Sequence, residues 1–213
     1  MGGMMTRRSL VAGVATAIVA KNVDAFAAVS CGPFNADDEQ RCIAGLQIGS
    51  LRTAQQRCQS WCWAACIETI FLLHGFRVRQ ERIVEKLFGS AVCEPAVGRE
   101  IVETITGDWQ DDRGREFNAD AFPLLDLDYD IQSPTAAEDA AHELANNNPL
   151  IAVALGHATV LTALTYLRHR DGSGRPLQVV VRDPYPGSPN PRTLNLREAN
   201  STVFLAAVHV QAL

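Results

Sequence analysis

The chain has 213 residues, a formal net charge of −5, a hydrophobic content of 47% and six cysteines. This length and composition suit one sizeable globular domain with a real core, and they exclude a largely disordered chain. The acidic balance argues against nucleic acid or an anionic membrane surface as a partner.

The first 27 residues have the pattern of an export signal. Arg7 and Arg8 precede an uncharged stretch from Leu10 to Ala20, and Ala25-Phe-Ala27 fits a small-residue cleavage site. The paired arginines are typical of the twin-arginine route. A membrane anchor is the weaker interpretation, because about 11 apolar residues fall short of the roughly 20 that a spanning helix needs. We therefore predict an exported protein, periplasmic or secreted, with no membrane association after signal removal.

The cysteines all lie between Cys31 and Cys93. In an oxidising compartment, this clustering indicates disulfide bonds in the first half of the mature chain. If one cysteine stays free for chemistry, five remain, and an odd number leaves at least one more thiol unpaired. We predict the pairs Cys31–Cys42 and Cys58–Cys93 with Cys66 as the spare thiol, although spacing alone leaves other pairings open.

The order of elements predicts the fold class. Residues 28–53 have little periodicity and are interpreted as an N-terminal arm ahead of a domain at 54–213; whether this arm acts as a pro-segment is left open by the sequence. Hydrophobic periodicity and glycine stops predict helices, and β-branched runs predict strands. The predicted helices are Ala64–Leu73 with its preceding turn, Gln80–Phe88, Val97–Thr106 and Thr135–Asn147. A surface loop is predicted at Asp108–Asn118. The predicted strands are Leu150–Leu155, Ala158–Tyr166, Leu177–Arg182 and Val203–Val210. Helices followed by strands predict an α+β fold, with a helical lobe and then an antiparallel β lobe.

The stretch around Cys62 is the strongest chemical signal. Ser60 is a good helix N-cap, which would place Cys62 in the first turn of a helix. There the helix dipole and free N–H groups favour a thiolate, the nucleophilic form of cysteine. Because Ala64–Leu73 is apolar nearly all round, this helix should be buried and should hold the thiol rigidly. Gly75 is the predicted C-cap, with His74 in the last turn as a favourable cation.

The strand region supplies partners for a nucleophilic thiol. Such a thiol needs a base and a group that orients the base. His157 lies between two strand-like runs, and Asp183 follows the end of another, where its carboxylate could fix the imidazole tautomer. The Gln56 side-chain amide and the Cys62 backbone N–H are predicted to face the developing oxyanion, where one such donor contributes about 3 kcal/mol.

This order of residues resembles the papain-like cysteine peptidases, specifically bacterial effector proteases and bacteriocin-leader peptidases. The similarity is carried by Gln56 with Cys62-Trp63, by Gly156-His157-Ala158 with Val160-Leu161-Thr162, and by Asp183-Pro184, and it covers roughly residues 50–213. The resemblance implies a central helix with the cysteine, a β lobe with the histidine and Asp or Asn, and a cleft between them. His157 follows Cys62 by 95 residues, fewer than the ~130 of papain-type enzymes, which indicates a compact relative.

The leading hypothesis is an exported thiol protease that hydrolyses peptide or amide bonds with Cys62, His157, Asp183 and Gln56, acts on a protein or peptide substrate, and uses no cofactor and no metal. Two alternatives stay open: an acyltransferase or amide ligase on the same site, and an inactive, disulfide-stapled binding module. Cys62 could be structural, and Asp183 could merely begin a turn. Among the other histidines, His142 and His169 are interpreted as solvated and His209 as structural. The sequence leaves the oligomeric state open.

Overall fold

A computed structural model describes residues 29–47 and 51–213, so the predicted export signal lies outside the described residues. The helices are α1 Cys62–Leu73, α2 Gln80–Phe88, α3 Gly98–Ile105, α4 Ala136–Ala145 and α5 Leu196–Asn200, with a 3-10 turn at Leu127–Tyr129. The strands are β1 Ser30–Cys31, β2 Glu39–Gly45, β3 Gly107–Gln110, β4 Glu116–Asp126, β5 Ile131–Gln132, β6 Leu150–Ala154, β7 His157–His169, β8 Gly174–Arg182, β9 Arg192–Thr193 and β10 Thr202–Ala212. In the described ranges, no helix is both long and apolar enough to cross a bilayer.

The strands form one antiparallel sheet in which β7 is central. Along one edge of β7, β6 pairs with its first residues and β2 with its later ones, while β8 occupies the other edge. The sheet continues from β6 through β10 and β4 to β3. Helices combined with an antiparallel sheet confirm the predicted α+β class.

The sheet separates two hydrophobic cores, because successive strand residues face opposite sides. Val160 of β7 packs in the core with α1, α2 and α3, whereas the next residue, Leu161, packs in the core with α4. Helix α1 is buried over nine consecutive residues from Trp63 to Phe71, as its apolar sequence predicts. Its N-terminus is thereby held rigidly next to the start of β7.

The ends of α1 differ from the prediction. Trp61, not Ser60, occupies the N-cap position, and no side chain caps the helix, so the Ser60 prediction is wrong. Cys62 still lies in the first turn, as the first helical residue. At the other end His74 is the C-cap, and Gly75 follows with a φ of +84°, a conformation that glycine adopts without steric cost.

The predicted surface loop at Asp108–Asn118 is wrong, because this segment forms most of a β-hairpin. Strands β3 and β4 pair from Gly107↔Ala119 to Gln110↔Glu116. The Asp111 carboxylate closes the turn by accepting the backbone N–H groups of Arg113 and Arg115. The buried face begins with Trp109 and Phe117, so the polar composition of the segment reflects its turn and its outer face.

The N-terminal segment contributes to the sheet. Strand β2 pairs with β7 from Glu39↔His169 to Gly45↔Ala163, and its Cys42 and Ala44 side chains are fully buried. The predicted disulfides Cys31–Cys42 and Cys58–Cys93 are both confirmed, which leaves Cys62 and Cys66 as free thiols. The first bridge joins β1 to β2, and the second joins the segment before α1 to the segment before α3.

Candidate active site

Cys62 begins α1 at a half-buried position, where its thiol meets the start of β7. The backbone N–H of Ala158 donates to Sγ over 3.4 Å. Burial raises the pKa of the Cys62 thiol, but hydrogen bonds from His157 and the Ala158 N–H, with the positive charge of His157, bring the net pKa below its ordinary value. The thiol therefore forms a thiolate more readily than a free cysteine does.

His157 reaches the thiol from the first residue of β7. A tight turn precedes it, with Leu155 and Gly156 at φ of +54° and +75°. His157 Nε2 lies 2.8 Å from Oδ1 of Asp183, so the other ring nitrogen, Nδ1, is left for Cys62. The hydrogen bond with Asp183, and then that with Cys62, raises the pKa of His157 to about 9. At neutral pH the imidazole is thus a cation between the Cys62 thiol and the Asp183 carboxylate.

Asp183 follows β8 and is almost completely buried. Its Oδ1 also accepts the backbone N–H of Tyr185 at 2.9 Å, and its Oδ2 accepts Nε–H of Arg192 at 2.7 Å. Burial opposes ionisation, but the hydrogen bonds with His157, Tyr185 and Arg192 hold the pKa of Asp183 well below its ordinary range. Asn190 fixes the backbone of Asp183 by accepting its N–H and donating to its C=O. Asp183 is therefore an ionised acceptor held from several directions.

Gln56 lies beside this cluster but in a different arrangement from the predicted one. Its side-chain nitrogen donates to the backbone oxygens of Cys58 at 3.1 Å and Gln59 at 2.9 Å. Its backbone N–H donates to the Pro184 oxygen at 2.9 Å. Both amide hydrogens are thus engaged, and the observed contacts hold the loop before α1 against the turn after Asp183. An oxyanion role for Gln56 stays a prediction.

The segment at residues 92–94, before α3, is tied to the start of α1 by two indole groups and a disulfide. Trp61 Nε1–H donates to the Val92 oxygen at 2.7 Å, and Trp63 Nε1–H donates to the Glu94 oxygen at 3.2 Å. The Cys58–Cys93 bridge joins the same two segments. These contacts keep the chain on both sides of the Cys62 thiol in one position.

The described hydrogen bonds of this cluster include neither the remaining histidines nor the second free thiol, Cys66. Burial lowers the pKa of His74, so its predicted role as a helix-end cation is wrong. His209 pairs with Glu143 at 2.7 Å, and His142 and His169 are exposed at 62% and 40% of their side-chain surface. Cys66 is fully buried, and burial raises its pKa. Of the two free thiols, Cys62 is therefore the one equipped to react.

Sequence reasoning missed Arg192 and Asn190. Both belong to a proline-rich stretch after β8, where residue type alone indicates only a loop. Their link to Asp183 depends on how this loop turns back, with β9 pairing to β8 at Val180↔Thr193 and Val181↔Arg192. No local signal in the sequence distinguishes Arg192 from the other arginines.

Comparisons with known proteins found a similarity in structure but none in sequence. No protein-family model matches the chain, and no curated protein matches it. Among solved structures, it is similar to the peptidase domain of ComA from Streptococcus, which is described as a bifunctional ABC transporter involved in a quorum-sensing pathway. The two share 14% sequence identity over 77% of this chain and 100% of that domain, with a TM-score of 0.45. A similarity of this size carries no argument about mechanism.

Proposed function

We propose that this protein is a cysteine peptidase that hydrolyses peptide or amide bonds, with Cys62 as the nucleophile. The supporting observation is the meeting of three side chains from separate parts of the fold. A free thiol at a helix start contacts a histidine, and a buried carboxylate holds that histidine through its opposite nitrogen. A nucleophile, a base and an orienting group in this order are the parts that acyl transfer through a thiol requires.

In the proposed reaction, Cys62 Sγ attacks the carbonyl carbon of the substrate. The oxyanion that forms faces the backbone N–H at the start of α1, where the helix dipole favours negative charge. His157 donates its proton to the leaving amine as the C–N bond breaks, which leaves a thioester on Cys62. His157 then takes a proton from water, and the resulting hydroxide attacks the thioester carbonyl. The C–S bond breaks, the carboxylic acid product is released, and Cys62 returns to the thiolate form.

The roles of the other groups follow from their contacts. Asp183 keeps Nε2 of His157 engaged, so that Nδ1 faces the thiol throughout the cycle. Gln56, by its contacts with Cys58, Gln59 and Pro184, fixes the approach to the site, and its side chain is the second proposed oxyanion donor. That second role requires one amide hydrogen to leave its carbonyl partner when substrate binds.

We also propose that the enzyme is an exported, compact papain-like peptidase with a protein or peptide substrate. Two disulfides within the first half of the described chain suit an oxidising compartment. The cysteine at the start of a buried helix, with its histidine at the start of one antiparallel strand and its aspartate directly after another, supports the papain-like arrangement. The twin-arginine pattern of the first 27 residues supports export.

The test compares the two free thiols. Cys62→Ala should abolish hydrolysis of fluorescein-labelled casein, whereas Cys66→Ala should keep it, because Cys66 is fully buried and makes no described hydrogen bond with His157. Iodoacetamide at pH 6, followed by peptide mapping, should label Cys62 in the wild type and should leave Cys66 unmodified. Unchanged hydrolysis by Cys62→Ala, or an unlabelled Cys62 in the native protein, would refute the proposal.

A further inference from the structure

We propose that Arg192 is a positioning residue of this active site: it fixes the Asp183 carboxylate toward His157, and Glu198 in turn fixes Arg192. This inference rests on the proposed peptidase function. Arg192 does not contact the thiol or the imidazole in the described structure, so any effect on the reaction passes through Asp183.

The guanidinium of Arg192 binds two carboxylates at once. Its Nε–H donates to Oδ2 of Asp183 at 2.7 Å. Its two terminal nitrogens donate to the two oxygens of Glu198 at 3.0 and 2.8 Å. A planar guanidinium that makes a bidentate bond has little freedom to rotate, so its third bond has a defined direction. Arg192 is only 19% exposed, which limits screening of these contacts by water.

Glu198 is itself held in place. It belongs to the first turn of α5, where its side chain accepts the backbone N–H of Asn195 and its own N–H donates to the Asn195 side chain. This reciprocal capping fixes the carboxylate with respect to the helix backbone. The orientation of Asp183 is thus determined by a chain of contacts that runs from α5 through Glu198 and Arg192.

The two carboxylate oxygens of Asp183 accept hydrogen bonds from different donors. Oδ1 accepts from His157 and from the Tyr185 N–H, whereas Oδ2 accepts from Arg192. Loss of Arg192 would therefore leave a buried carboxylate oxygen without its charged donor, which is costly. The carboxylate would then rotate or draw in water, and its hydrogen bond to His157 would weaken.

The charged and titratable groups that face this cluster come from five elements. They are Cys62 and Cys66 from α1, His157 from β7, Asp183 and Tyr185 after β8, Arg192 from β9 and Glu198 from α5. Removal of the Arg192 cation alone would stabilise the imidazolium and raise the pKa of His157. Loss of the Asp183 hydrogen bond would lower that pKa. The direction of the His157 pKa shift on loss of Arg192 therefore distinguishes two roles of Arg192. A rise indicates that Arg192 acts only as a nearby charge, and a fall indicates that it positions Asp183.

The experiment uses the mature, disulfide-bonded protein and the variants Arg192→Gln and Arg192→Lys. Arg197→Gln is the matched control, because Arg197 is an exposed arginine on α5 and its loss changes the net charge equally. Casein hydrolysis gives kcat and KM, and the His157 pKa comes from NMR titration of the ring protons. We expect Arg192→Gln to lower kcat by about tenfold to a hundredfold with KM within twofold, because small misplacements of a catalytic group have effects of this size.

In Arg192→Gln, we also expect the pKa of His157 to fall below its wild-type value by more than half a unit. Arg192→Lys keeps the charge without the two-carboxylate geometry, so it should recover only part of kcat. Arg197→Gln should behave as wild type. A raised or unchanged His157 pKa in Arg192→Gln, or wild-type kcat with only a lower melting temperature, would overturn the proposal.

Two further readouts keep the outcomes separate. If Arg192→Gln does not fold, Arg192→Lys keeps the charge and changes only the geometry, so it should lower kcat and the His157 pKa in the same direction. If the wild type hydrolyses nothing, the proposed function fails, yet the NMR titration still reports whether Arg192 positions Asp183. A lowered His157 pKa in that case supports the positioning role independently of the reaction.

Discussion

Replacement of Asp183 by asparagine tests the electrostatics of the site most directly. The change keeps the shape of the side chain and removes the negative charge next to His157. The pKa of His157 is raised from 6.5 to about 9, and the hydrogen bond with Asp183 is the largest cause, followed by that with Cys62. A rise of this size corresponds to roughly 3 kcal/mol of preference for the imidazolium. We therefore expect Asp183→Asn to lower the pKa of His157 by one to two units.

The sign of the effect on activity follows from the role of the imidazolium. His157 must carry a proton to protonate the leaving amine, so activity falls as the pH rises through the pKa of His157. Wild-type kcat/KM should therefore decline near pH 9, and that of Asp183→Asn should decline at a lower pH. For a fall of the pKa to about 7.5, the protonated fraction at pH 8.5 drops by about eightfold.

The assay is the pH profile of kcat/KM from pH 5 to 10, together with NMR titration of His157. Asp37→Asn is the control, since Asp37 is an exposed carboxylate in the turn before β2. It should leave the profile unchanged. A basic limb that stays near pH 9 in Asp183→Asn, with folding intact, would show that Asp183 does not support the imidazolium and would refute the reasoning.

Three further predictions concern the framework of the site, each measured by urea denaturation. The double variant Cys58→Ala, Cys93→Ala should lose about 2–4 kcal/mol of unfolding free energy, because the bridge closes a loop with a sequence separation of 35; unchanged stability would contradict this. Phe117→Ala should lose about 3–5 kcal/mol, since this fully buried ring stacks on two other aromatic rings in the α1 core, and a loss below 1 kcal/mol would count against it. Gly98→Ala should lower the free energy of unfolding by about 1–3 kcal/mol despite the better helix propensity of alanine, because the new methyl group would overlap the Phe204 ring. A gain in stability would disprove this.

The parts of the site that were predictable from sequence have local signals. Cys62 precedes a long apolar run without Gly or Pro, and a run of this length favours a buried helix over a strand, so its place in the first turn could be predicted although Ser60 is not the N-cap. The strands that carry His157 and precede Asp183 are rich in β-branched residues, and their predicted positions agree with β7 and β8 to within a few residues. The disulfide pairs were also predicted correctly.

Other elements lack such signals because long-range contacts form them. Strand β2 has the weakly periodic sequence EQRCIAG, and it is a strand because β7 offers it a free edge and the core buries Cys42 and Ala44. The β3–β4 hairpin has a polar turn that composition alone indicates as loop. Its pairing depends on burial of Phe117 against α1.

The sequence by itself determined the chemistry that is available: a thiol at a helix start, a histidine and an aspartate at strand ends, and the cysteines that stabilise the framework. Periodicity and residue type are local properties, so they could be interpreted without a partner. Tertiary structure decided which groups meet. It engaged the Gln56 amide with backbone oxygens, and it brought Arg192 and Glu198 to Asp183. Such contacts depend on where loops return to the sheet, which is set by the packing of the whole chain.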